Sequence, residues 1–165
     1  MSQHNATLLN SDALKELKDA KVAIVYTEWN EEIITELVKG AENVCKSFDA
    51  TITEKLAVPG SFELPFACKQ LYEYSFEGEN APEAIIAFGV VIRGGTPHFD
   101  YVCKAVTEGL VRLNLMLPIP VIFGVLTLDN EEQAWERLGG AHGHKGEEAA
   151  ITALKMIKNS RRILD

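Results

Sequence analysis

The stretch 84–92 reads AIIAFGVVI, nine residues with no polar side chain, and it runs straight into Arg93-Gly94-Gly95. It is far too short to span a membrane as a helix. A strand with one wet face would alternate apolar and polar residues, so an unbroken apolar strand is covered on both faces. Parallel sheets packed between helices provide that cover. Residues 22–26 (VAIVY) and 121–126 (VIFGVL) carry the same signal, and 51–58 (TITEKLAV) alternates enough to be a further strand ending at Pro59-Gly60.

Helical periods lie between these strands. Asn30 can cap a helix whose apolar face is Ile34, Leu37, Val38, Ala41 and Cys45. Ser61 can cap the next, with Pro65 in its first turn and Leu64, Ala67, Leu71 and Tyr74 along one side. A helix from about 97 to 117 carries Val102, Val106, Leu110, Leu113 and Leu117. Asn130 with Gln133 has the form of a capping box for a short helix reaching Leu138. A glycine-punctuated loop at 139–146 then leads to a last helix over about 147–161. The expected fold is α/β, a three-layer αβα sandwich of flavodoxin-like type on a four-stranded parallel sheet. Residues 1–18 read as a partly flexible N-terminal extension, and 19–165 as one domain.

Composition narrows the function. The chain has 165 residues, 47% of them hydrophobic and 24% charged, with a net charge of -8. With no basic stripe to neutralise phosphates, nucleic acid is not an expected partner. No apolar run reaches membrane-spanning length and residues 1–19 lack a signal core, so a cytoplasmic setting is expected. Cys45, Cys68 and Cys103 are widely spaced, each in a helical period, and read as small buried hydrophobes.

In such a fold, ligands sit beyond the carboxyl ends of the strands. The segments there are Glu28-Trp29-Asn30, Pro59 to Glu63, Arg93 to His98, and Thr127 to Asn130. Gly94, Gly95 and Thr96 lie between a strand and a helix start, where small residues let backbone N–H groups approach an anion. His98 follows, and histidine exchanges protons near neutral pH. A solvent-facing helix start is the plain alternative for His98, and the adjoining Gly-Gly-Thr turn favours catalysis. Trp29 suits stacking on a flat heterocycle or packing against a neighbouring subunit. Glu63 suits the helix dipole or hydroxyl recognition, and Arg137 suits a helix C-terminus or an anion clamp; Lys145 is open in the same way. His142 and His144 lack a third metal ligand nearby and read as part of a flexible surface loop. Neither G-x-x-x-x-G-K-[ST] nor G-x-G-x-x-G is present at the expected places.

Four segments taken together resemble the 6,7-dimethyl-8-ribityllumazine synthase family. They are Glu28-Trp29-Asn30-Glu31, Val58 to Pro65, the stretch 89–101, and Phe123-Gly124-Val125-Leu126-Thr127 running on through Gln133, Arg137 and Lys145-Gly146. The resemblance spans roughly residues 20–160 on this motif reading. It implies a transferase of riboflavin biosynthesis, at its penultimate step. The two substrates are 5-amino-6-(D-ribitylamino)uracil and 3,4-dihydroxy-2-butanone 4-phosphate, and phosphate and water are released. No metal or organic cofactor is implied.

By position, the resemblance makes Trp29 the stacking ring, where many members carry Phe. Ser61, Phe62 and Glu63 hold the ribityl chain with Asn30 nearby, and the backbone of Val90, Val91 and Ile92 reads the pyrimidine edge. Lys145 joins the residues binding this substrate. Gly95, Thr96 and Arg137 bind phosphate, Arg137 from within the same chain, while His98 is the proton donor. Phe123 comes from the adjacent subunit of a pentamer. The N-terminal segment would add a strand to a neighbouring subunit, and association with riboflavin synthase is a further implied contact. Members forming 60-subunit shells commonly carry Lys and Asn where Ala141 and His144 stand, so the resemblance leaves the shell open. A flavin- or lumazine-binding protein without catalysis is the alternative on the same pocket.

Overall fold

A computed structural model of the chain describes residues 14–75 and 78–164. Four parallel strands form the sheet: β1 (Lys21–Thr27), β2 (Thr51–Val58), β3 (Ala84–Ile92) and β4 (Val121–Leu128), in the order β2-β1-β3-β4. Helices α1 (Glu31–Ser47), α2 (Leu64–Ser75) and α3 (His98–Met116) make the crossovers. A short α4 (Glu132–Trp135), an antiparallel hairpin of β5 (Leu138–Gly140) and β6 (Gly143–His144), and the long α5 (Lys145–Leu164) complete the fold. This is the three-layer flavodoxin-like arrangement.

The alternating Cβ directions of β1, β3 and β4 build two cores. Val22, Ile24, Ile86 and Phe88 pack with α1 and α5, while Ala23, Val25, Ile85 and Ala87 pack with α2 and α3. Leu14 and Leu17 already belong to the first core, and Arg161 of α5 holds the segment before β1, donating to the Lys18 carbonyl and doubly to Glu83. α1 and α5 approach so closely that a Cβ on Gly146 would overlap the Leu37 carbonyl.

Several local expectations change. Asn30 sits at the start of α1 in the left-handed region, φ 61°, and caps nothing; its amide instead donates to the Val90 carbonyl at 3.4 Å. Asparagine tolerates that conformation better than most residues. Ser61 opens a 3-10 turn (Ser61–Glu63) and makes no cap bond. Tyr74 is 86% exposed; in the last turn of α2 it is Tyr72 that packs on the core. The Asn130 cap is present, accepting from Gln133 N–H at 3.1 Å, but the Gln133 side chain returns to Asp129 N–H, and the helix stops at Trp135. The glycine loop is an ordered hairpin, with positive φ at Gly139 and Gly143 where its backbone requires glycine. His144 fills the space left by Gly40 and accepts the Glu147 N–H at 3.4 Å.

Cys45 and Cys68 are buried and Cys103 is half-buried, all as free thiols. Burial pushes the Cys45 thiol up to about 11, helped by nearby Glu42, and the Cys68 thiol up to about 12, from 9.0. The neutral thiols are therefore favoured by folding. That contribution is complete below the unfolded value of 9.0 and is lost as pH rises through the folded values. Two results are expected: Cys45 and Cys68 stay unreactive toward Ellman's reagent at pH 8 until denaturant is added, and the unfolding midpoint falls as pH rises above 9.0. Rapid labelling of both without denaturant would contradict this.

Candidate active site

The strand order reverses between β1 and β3, since β1 connects outward to β2 and the chain then returns to β3 and β4. Open α/β sheets bind ligands at this switch point. Pairing of β1 with β3 stops at Tyr26–Phe88, whereas β3 stays paired with β4 as far as Ile92–Leu128. The last residues of β3 therefore project past β1 and present one backbone edge to the space beyond it. Asn30 closes the inner end of that space through its bond to Val90.

A cleft of roughly 630 Å³ occupies the place, within the range of small-molecule sites. Trp29 and Asn30 form one wall, the turn 60–63 another, and Val90, Val91 and Ile92 the floor, with His98 and Val102 of α3 opposite. Trp29 is 72% exposed and Phe62 64%, so two aromatic faces stand free beside a carboxylate, Glu63. Glu63 and Trp29 both lie over Gly60, where a Cβ would be 3.3 Å from Glu63 Oε2 and 3.8 Å from the Trp29 ring. Ser61 is only 6% exposed, and its hydroxyl has no hydrogen-bond partner among the described residues, packed where Gly89 leaves room. An unpartnered buried hydroxyl costs about 1–3 kcal/mol.

His98 is the first residue of α3 and is exposed, and no hydrogen bond fixes its imidazole among the described residues. Gly94, Gly95 and Thr96 lie on the exposed loop just outside the cleft wall, where a Cβ on either glycine would meet nothing within 4 Å. Their backbone is open to a ligand from outside.

The structure does not bring Phe123, Arg137 and Lys145 to this cleft. They line a second groove of about 640 Å³ along the outer edge of β4, which shares no residue with the first. Arg137 therefore does not close the site within its own chain: α4 and the hairpin follow the edge strand, on the far side of β3. In the second groove Phe123 is 45% exposed, and the Arg137 guanidinium donates to the Gln133 carbonyl at 2.8 Å. Lys145 is held by both Glu148 oxygens at 2.7 and 2.8 Å, and its N–H donates to the Arg137 carbonyl, tying the two cations together.

Against the family model described as 6,7-dimethyl-8-ribityllumazine synthase, residues 19–161 match. The chain belongs to this family. It is 42% identical over 158 residues to the 6,7-dimethyl-8-ribityllumazine synthase of Parabacteroides distasonis, covering 94% of this chain and 96% of that one. The Bacteroides fragilis synthase is 48% identical over 139 residues, covering 83% and 94%, and that of Streptomyces avermitilis 43% over 147 residues, covering 88% of each.

Sequence reading overlooked Val102 as a site residue, placing it on the buried face of α3. It stands one turn from His98, and the i, i+4 spacing was the available signal. Glu148, the partner of Lys145, was also missed, and the same spacing logic applies at i, i+3. No group of three metal-ligating side chains occurs among the described residues, and no described helix is long and apolar enough to cross a membrane.

Proposed function

We propose that the chain condenses 5-amino-6-(D-ribitylamino)uracil with 3,4-dihydroxy-2-butanone 4-phosphate to give 6,7-dimethyl-8-ribityllumazine, releasing phosphate and water. The observation that carries this is the unpaired end of β3 lying between an exposed indole and a helix-borne histidine. A planar pyrimidine has donors and acceptors along its edge and two flat faces. The projecting backbone of Val90 to Ile92 suits the edge, and Trp29 suits a face. Phe62, Glu63 and Ser61 line the same cleft, and their turn suits a polyhydroxylated chain.

The chemistry asks mostly for proximity. The amine attacks the ketone, water leaves to form an imine, phosphate is eliminated, and ring closure expels water. His98, which lines the cleft, would carry protons between these steps. Gly95 and Thr96 offer an uncovered backbone to the phosphate.

Each chain offers two half-sites, and they are assigned to opposite partners. The cleft of one copy takes Phe123, Arg137 and Lys145 from the β4 edge of the next, an interface that repeats around a ring. A pentamer in the cytoplasm is the assembly this reading carries. It supersedes the single-chain role for Arg137 that the sequence suggested.

The test is to mix the protein with both substrates and follow lumazine absorbance. Product formation at catalytic protein concentrations is expected, and Arg137→Ala should raise KM for the phosphorylated substrate about tenfold or more while barely moving KM for the uracil. No product at saturating substrates, with tight riboflavin binding, would favour a non-catalytic binding protein instead.

A further inference from the structure

The exposed loop after β3 must keep its backbone uncovered if an anion is to reach it, so it cannot be held by packing from above. A Cβ on Gly94 or Gly95 would meet nothing within 4 Å among the described residues, and residues 93–98 are all exposed. Their fastening is at the side. Arg93 donates its backbone N–H to the Leu128 carbonyl at 2.8 Å, and its guanidinium is engaged in three directions. Nε donates to Asp129 Oδ1 at 3.0 Å, Nη1 to Asp100 Oδ1 at 3.4 Å, and the guanidinium carbon lies 4.0 Å from the centre of the Phe99 ring.

We infer that Arg93 is a positioning residue that fixes the Gly94 to His98 loop and the first turn of α3 relative to the end of β4. The inference rests on the loop being the anion site proposed above. Asp129 begins the connection to α4, while Phe99 and Asp100 directly follow His98 on α3, so one side chain sets the separation between the anion loop and the acid–base group. It also offsets part of the negative charge of two carboxylates beside a site meant for phosphate. A planar fork that stacks and bonds at once cannot be replaced by an ammonium, which is a point charge on a flexible stem.

Three variants separate geometry from charge. Arg93→Gln removes both roles. Arg93→Lys keeps the charge, and Arg93→Gln with Asp100→Asn and Asp129→Asn removes the fork together with both carboxylates it faces. All three should raise KM for the phosphorylated substrate about tenfold, with KM for the uracil within about twofold, as expected when a loop is displaced. Affinity for inorganic phosphate, read by 31P NMR, should weaken in parallel, and melting temperatures should stay close to wild type. Wild-type KM in Arg93→Gln overturns the inference. Recovery in the Lys variant or the triple variant also overturns it, leaving charge compensation as the only role. If Arg93→Gln does not fold, Arg93→Lys gives the reading. A wild-type protein that forms no product removes the functional proposal. The Arg93 assignment then stands or falls on phosphate affinity, and it falls if the wild type binds no inorganic phosphate.

Discussion

Replacing His98 by alanine lowers kcat about a hundredfold, the typical contribution of one positioned acid–base group. The residue is exposed at the first position of α3, and no internal hydrogen bond depends on it among the described residues. Its loss should therefore leave the melting temperature unchanged. The uracil should still bind, because the Trp29 face, the turn 60–63 and the free end of β3 are untouched. Some rate should remain, since holding two substrates face to face accelerates condensation without a proton carrier. Steady-state kinetics with each substrate varied separately, and a thermal melt on the same preparation, check these points. A wild-type kcat would remove His98 from the chemistry, and a collapsed melt would mean that its role is structural.

Gly146→Ala should be strongly destabilising. The added Cβ would overlap the carbonyl carbon and oxygen of Leu37, which are backbone atoms in the middle of α1. A flexible side chain could swing aside, but a helix backbone can only move as a unit. The α1–α5 contact must then open over several turns, loosening the core that Leu37, Ala41, Ala149, Ala150 and Leu154 share. Overpacking of this kind costs about 3 kcal/mol or more. For a chain of this length that corresponds to a fall in melting temperature of about 6–12 °C. Gly146 also adjoins Lys145, so the Phe123 groove should be distorted along with the helix start. Unchanged stability would mean that α1 and α5 can separate more easily than their packing suggests.

The sheet was legible because its signal is one-dimensional. Apolar runs at 22–26, 84–92 and 121–126 need cover on both faces, and alternation with helical periods forces parallel crossovers. The cleft was legible for a related reason, because Trp29, the turn 60–63 and His98 each directly follow a strand or open a helix. Two kinds of feature were not readable. One is the choice a polar side chain makes between local and distant partners. Asn30 could cap α1, yet it bonds across the sheet to Val90, and Ser61 could cap α2, yet its hydroxyl is buried without a partner among the described residues. The other is which side of a strand a later segment reaches. Arg137 and Lys145 follow an edge strand, and only the path of α4 and the hairpin decides that they lie with Phe123 rather than with His98.

That separation is the centre of the account, and a mixing experiment addresses it most directly. His98→Ala and Arg137→Ala chains are each assayed alone and then co-expressed so that they assemble together, with the phosphorylated substrate below its wild-type KM. In a ring of head-to-tail contacts, about a quarter of the sites then pair an intact cleft with an intact neighbouring groove. Activity should rise well above the mean of the two separate variants, toward that fraction of wild type. Activity no higher than that mean would show that His98 and Arg137 serve the same site from the same chain, contradicting the assignment of the two half-sites to different subunits.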